Sequence, residues 1–93
     1  MDEDAPAIEL TLPAALVRLF PGADRRLALR AATVTAAMDA LDARWPGMRD
    51  RLCDSTPAIR RHINVFVDGE RATLATALRP GSDVLVMTAM SGG

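Results

Sequence analysis

The residues best suited to chemistry are the last of the chain, Met90-Ser91-Gly92-Gly93. They follow the strand-like run Val84-Leu85-Val86-Met87 almost directly and end in a carboxylate on two residues without side chains. Glycine lacks Cβ, so a Gly-Gly arm takes backbone conformations closed to other residues and threads a slot too narrow for any side chain. That suits a carboxylate handed to another enzyme. Glycine is about 7% of average composition, so two terminal glycines arise by chance in roughly one chain in two hundred, and a linker remnant would read the same way. Here the turn signal Pro80-Gly81-Ser82-Asp83 and the strand after it leave no linker between core and arm.

Other reactive side chains are isolated. Cys53 is the single cysteine, which excludes an internal disulfide, and no Lys or His stands beside it to favour its thiolate. His62 and Cys53 are nine residues apart and match no zinc spacing, so no metal site is expected. Asp68-Gly69 and Pro80-Gly81 are turn chemistry, because neither lies between a strand and the start of a helix as a phosphate loop must. All 11 basic residues are arginine. The chain therefore offers no side-chain amine for isopeptide formation on itself.

The chain has 93 residues, 49% of them hydrophobic, which bounds it to one small domain with a modest core. A formal net charge of -1 without a basic block gives no electrostatic footprint for nucleic acid. The lone cysteine, with no signal peptide or long apolar span, leads to the expectation of a cytoplasmic chain with no membrane attachment.

The elements that must position the arm are legible from periodicity. Residues 1–7 are acidic and expected to fray, and Ile8-Glu9-Leu10-Thr11-Leu12 then alternates with period two up to Pro13. Ala14 to Asp24 reads as an ordered loop ending in the Pro21-Gly22 turn, returning the chain antiparallel to a second strand over Arg26 to Ala31. Thr33 is placed to cap a helix whose apolar stripe is Val34, Met38, Leu41 and Trp45, widened by Ala37, with Asp39, Asp42 and Arg44 pointing away. Pro46-Gly47 ends that helix, and Met48 to Leu52 permits one further short turn.

Ile63, Val65 and Val67 alternate up to the Asp68-Gly69 turn, after which Glu70 to Thr73 can pair back. Leu74 to Leu78 is expected to cross the sheet edge before the last strand. The only connection long enough to join a parallel pair contains the helix, so a helix lies on one face of a mixed sheet. This predicts an α+β, β-grasp (ubiquitin-like) fold, a single domain over 1–93 with 88–93 as a flexible tail.

Three stretches, Ile63-Asn64-Val65-Phe66-Val67-Asp68-Gly69-Glu70, Leu78-Arg79-Pro80-Gly81-Ser82-Asp83-Val84 and Met90-Ser91-Gly92-Gly93, resemble the MoaD/ThiS-type ubiquitin-like sulfur-carrier family. The resemblance spans nearly the whole chain. Its pattern is closest to the sulfur carriers of cysteine biosynthesis, through Asp54 to Pro57 and Leu74-Ala75-Thr76-Ala77. The molybdopterin synthase small subunit is a near second and the thiamine carrier ranks lower. Thr88 and Met90 depart from a frequent proline and a small β-branched residue.

The resemblance implies that a ubiquitin-activating-like, ATP-dependent adenylyltransferase converts Gly93 to an acyl-adenylate, and that sulfur then displaces AMP to give a thiocarboxylate. A biosynthetic enzyme of the cysteine synthase type, or the molybdopterin synthase large subunit, would consume that sulfur. The chain would act as carrier and not as enzyme, with Gly92 entering the partner's slot, ATP used by the partner and no cofactor of its own.

The period-two register that faces Ile63, Val65, Val67, Val84 and Val86 to the helix turns Phe66, Leu85 and Met87 to the opposite side. Next to Met90 and Ser91 these would form a partner-docking patch, with Arg60, Arg61 and Arg79 as candidate flanks. Scattered surface hydrophobes are the plainer alternative. Two further function classes stay open, a protein modifier conjugated through Gly93 and an interaction module whose tail is chemically idle.

Overall fold

The computed structural model describes residues 4–88. Met90, Ser91, Gly92 and Gly93, which carry the expected reactive arm, lie outside the described residues. The element order is β1 (Ala7–Thr11), α1 (Ala14–Val17), β2 (Arg26–Arg30), α2 (Val34–Arg44), α3 (Met48–Leu52), β3 (Ile63–Val67), β4 (Glu70–Arg71) and β5 (Asp83–Thr88). The strands form one five-stranded sheet in the order β2-β1-β5-β3-β4. β5 pairs parallel to β1 and antiparallel to β3, so the last of the described strands fills the middle of the sheet.

Each element follows from its sequence. Ile8 and Leu10 alternate inward on β1 and lie opposite Leu29 and Leu27 of β2, which sets the register that buries one face. The β3–β4 hairpin turns on Asp68 and Gly69, at φ 51° and 86°, the left-handed pair that a two-residue turn requires and that Asp-Gly supplies. On α2, Thr33 Oγ1 accepts from the Ala36 N–H at 3.1 Å. Val34, Ala37, Met38 and Leu41 form its buried stripe, and Met48 and Leu52 of α3 join them in the core against Leu10, Val65, Val84 and Val86. Burying each such side chain contributes roughly 1.5–3 kcal/mol relative to leaving it exposed.

Four local features differ from the sequence reading. The stretch after Pro13 contains one short helix, α1, where a loop was expected; Pro13 precedes it in extended backbone, and four residues are too few to show a period. The chain is tied down before Ala7: Ala5 is 7% exposed, its carbonyl accepts from Arg30 Nη1 at 2.9 Å, and the Pro6 carbonyl accepts from the Ala31 N–H at 3.0 Å. Asp42 turns back to accept from the N–H groups of Gly47 and Arg49 at 3.0 and 3.2 Å, joining the end of α2 to the start of α3.

Finally, the segment from Leu74 to Leu78 runs past the start of α2. The carbonyls of Thr76 and Leu74 accept from the Val34 and Thr35 N–H groups at 3.0 Å each, and Thr35 Oγ1 also donates to Leu74 O at 2.8 Å. Two donors that a helix leaves unpaired at its N-terminus are thus satisfied by a segment about forty residues away, and the carbonyl dipoles oppose the positive helix end.

Candidate functional site

The strand that leads to the C-terminal arm also builds the surface around its root. In the β3–β5 register Phe66 stands opposite Leu85, and Asn64 opposite Met87. All four side chains are on the face turned away from α2, while Val65, Val84 and Val86 on the other face are at most 1% exposed. Phe66 and Leu85 are half-buried against neighbouring strands. Met87 is 44% exposed, one of two large hydrophobic side chains so open among the described residues.

The pairing extends this contact into a row across the sheet. Thr11 lies beside Leu85 in the parallel β1–β5 ladder and beside Arg26 in the β1–β2 ladder, and Phe66 lies beside Arg71. The outer face therefore presents Arg26, Thr11, Leu85, Phe66 and Arg71 in that order, an apolar centre with a guanidinium at each end. Arg26 is ion-paired with Glu9, which raises its pKa further through the hydrogen bond and the charge of Glu9. Arg71 Nη2 donates to Asn64 Oδ1 at 2.7 Å and so leans over the same face.

These two arginines are the flanks that sequence reasoning missed, because they reach the row only through cross-strand register. Of the expected flanks, Arg79 sits in the Arg79–Ser82 turn, where its N–H donates to Ser82 Oγ at 2.9 Å, at the far end of β5 from Met87. Arg60 and Arg61 lie outside the row, at the open edge of β3.

The remaining candidates are spread through the fold. Cys53 is 2% exposed, and burial, the largest influence, pushes its thiol pKa up, so the thiolate is disfavoured. His62 is exposed at the entry to β3. Among the described residues no group of three or more His, Cys, Asp or Glu side chains is placed to hold a metal ion. No described helix is long and apolar enough to cross a membrane. Asp54 organises the loop before β3: its Oδ1 accepts from the Thr56 and Ala58 N–H groups at 2.9 and 3.0 Å and from the Thr56 hydroxyl. Those bonds, led by the hydroxyl, hold its carboxyl below the usual range.

Comparison with known proteins places this geometry. The sulfur carrier protein CysO of Mycobacterium tuberculosis is 30% identical over 84 residues, covering 84% of this chain and 90% of that protein. Its crystal structure superposes with a TM-score of 0.79 at 25% identity over 89% of this chain and 99% of that one. Small archaeal modifier protein 1 of Haloferax volcanii is 36% identical over 62 residues, 67% of this chain and 71% of that protein. A crystal structure of it superposes with a TM-score of 0.76 over 94% of this chain and 99% of that one. The BexX/CysO complex of Amycolatopsis orientalis contains a chain of the same fold, with a TM-score of 0.81 at 24% identity over 92% of this chain and 99% of that one. The ubiquitin-like β-grasp architecture is thus shared across these neighbours, and with the ThiS family model matching residues 10–93, the chain belongs to the ThiS family.

Proposed function

We propose that this protein is a sulfur carrier whose Gly93 carboxylate is adenylated by an ATP-dependent activating enzyme and converted to a thiocarboxylate that donates sulfur in biosynthesis. The observation that carries this reading is the ThiS family match, which runs through Gly92 and Gly93. The sulfur carrier CysO among the relatives supports it and favours cysteine biosynthesis over molybdopterin as the destination. A carboxylate resists substitution because its charge repels nucleophiles and its oxygen leaves poorly. Attack of that oxygen on the α-phosphorus of ATP expels pyrophosphate and makes AMP the leaving group. A sulfur nucleophile at the sulfide level then forms the C–S bond as AMP departs.

The groups that stabilise both steps belong to the activating enzyme. This chain contributes an arm without side chains at Gly92 and Gly93 and a docking face of Phe66, Leu85 and Met87, with Met90 and Ser91, next in sequence before the arm, as further partner-binding residues. The acceptor would be a biosynthetic enzyme that binds the same face in turn. Intact-mass measurement of the chain isolated from its own host tests the proposal. The expected product carries one sulfur in place of one terminal oxygen, and its persistent absence together with a lack of ATP–pyrophosphate exchange would refute it.

A second reading is favoured by the modifier relative. The same activated Gly93 would pass to a lysine of a target protein. Covalent conjugates in host extracts, resistant to thiol reduction, would select it over the carrier reading.

A further inference from the structure

The free edge of β3 carries a groove that borders the docking face at Asn64 and Arg71. Its volume is about 410 Å³, and its walls are the segments 57–61 and 71–75 with the start of β3 between them. Buried Ile63 and Val65 and half-buried Ile59 and Leu74 supply apolar lining, and Arg60, Arg61 and Arg71 stand around it.

The backbone of the groove is incomplete as a sheet. Val65 O accepts from the Ala72 N–H at 2.8 Å, so the polar groups of Val65 and of Ile63, two residues earlier, point away from β5 and toward this edge. β4 is only two residues long, and the chain leaves β3 after Ala72. The Ile63 N–H is taken by Arg60 O at 2.9 Å. The Ile63 carbonyl and the Val65 N–H remain facing the groove, with no hydrogen bond to a described residue. An acceptor and a donor on either side of Asn64 are the pair that one residue of a strand running parallel to β3 satisfies, donating to Ile63 O and accepting from Val65 N–H.

The charge around this edge is one-sided. None of Arg60, Arg61 and Arg71 is ion-paired with a described carboxylate. Arg60 Nε is held on Asp50 O at 2.6 Å and its charge also helps lower the pKa of Asp54, so it is the most engaged. Arg71 is steadied by Asn64 Oδ1 at 2.7 Å with other donors open, and Arg61 is exposed.

We propose that this groove binds an extended, carboxylate-bearing segment of a partner protein, added parallel to β3, with its apolar side chains on Ile63, Val65 and Leu74 and its acidic side chains on Arg61 and Arg71. The site borders the Phe66 face at Arg71, which stands at the end of that row, and does not depend on the chemistry proposed for Gly93. A carrier with two such surfaces can be gripped at its sheet edge while its arm enters an active site.

The probe is a short capped peptide alternating Val and Glu, with a twin bearing Gln for each Glu, titrated into the full chain by fluorescence anisotropy and amide NMR. The expected result is movement of the Asn64, Val65 and Thr73 amides, slowed hydrogen exchange at Val65, and weaker binding of the Gln twin. Arg61→Gln and Arg71→Gln should each weaken binding about threefold to tenfold with unchanged melting temperature, since both side chains are exposed. Equal affinity for both peptides, shifts confined to Phe66, Leu85 and Met87, or no shift at millimolar peptide would each overturn the proposal. A variant ending at Thr88 controls for the chain's own tail. If it alone reproduces the Asn64 and Val65 shifts and binds the peptide more tightly than the full chain, the tail is the occupant and the partner assignment fails.

Discussion

Replacing Phe66 and its neighbour Val65 by alanine, one at a time, separates what holds the sheet together from what its outer face recognises. Val65 is 1% exposed and packs among Leu10, Met38 and Val86 in the core. Val65→Ala removes two methyl groups from a site ringed by strand and helix, a loss of about 2 kcal/mol once the residual cavity is included. In a domain of this size each kcal/mol moves the melting temperature by about 4–8 °C, so the variant should melt about 8–16 °C lower. Phe66 is half-buried on the opposite face with Leu85 and Arg71 beside it. Its truncation gives up partial contact and some strand preference and should cost about 1 kcal/mol or less.

Binding should rank the two the other way. An aromatic anchor at the centre of an interface contributes about 2 kcal/mol or more on truncation, a roughly thirtyfold loss of affinity. Thermal melts of both variants, with calorimetric titration against the activating enzyme, give the two rankings. Equal destabilisation by both changes, with affinity untouched by Phe66→Ala, would show that the outer row is scattered surface and not a docking centre.

Deleting Gly93 should leave the melting temperature unchanged and abolish ATP–pyrophosphate exchange, and Gly92→Val should suppress exchange with little effect on stability, because a β-branched side chain must enter a slot shaped for bare backbone; normal exchange by either variant would refute the arm argument. Thr33→Ala removes the hydroxyl that accepts from Ala36 and should cost about 1 kcal/mol in urea denaturation. Cys53, buried and with its thiol pKa raised, should be alkylated only as fast as the domain opens, so denaturant should accelerate labelling steeply; rapid labelling of the folded chain would contradict its burial. Asp54 has a folded-state pKa below its ordinary value, so its contribution to stability is present above that ordinary value and lost as pH falls through the folded one. The stability gap between wild type and Asp54→Asn should therefore be largest near neutrality and close in acid.

How much of this was legible in advance follows the range of the interactions. The stripe of α2 as far as Leu41, its Thr33 cap and the Asp68-Gly69 hairpin are written in neighbouring residues and stand in the structure, whereas Trp45, expected to close the stripe, caps the helix end in non-helical backbone and is half-buried. The facing of Phe66, Leu85 and Met87 away from Val65, Val84 and Val86 needed only a period of two and fixed turns. Arg26 and Arg71 each face a neighbouring strand, but the row that makes them its two ends was not legible, because it runs through the parallel β1–β5 pairing of strands far apart in the chain. The role of Leu74 to Leu78 was hidden for a different reason. It acts on α2 largely through main-chain carbonyls, which every residue carries and no composition reveals. The groove at the β3 edge joins three separate stretches, each unremarkable alone.

The central place of β5 also bears on how the protein comes to exist in a cell. Synthesis proceeds from the N-terminus, and the strand that joins β1 to β3 is the last of the described elements to be made. Until Asp83 to Thr88 has emerged, the nascent chain holds two separate hairpins, each with an uncovered edge. Neither half has a sheet wide enough to cover the helix, so assembly waits for the end of translation. A chain that terminates early therefore lacks the strand that completes the sheet, and under the proposed function an activating enzyme would meet the Gly-Gly arm only on molecules whose central strand has been made.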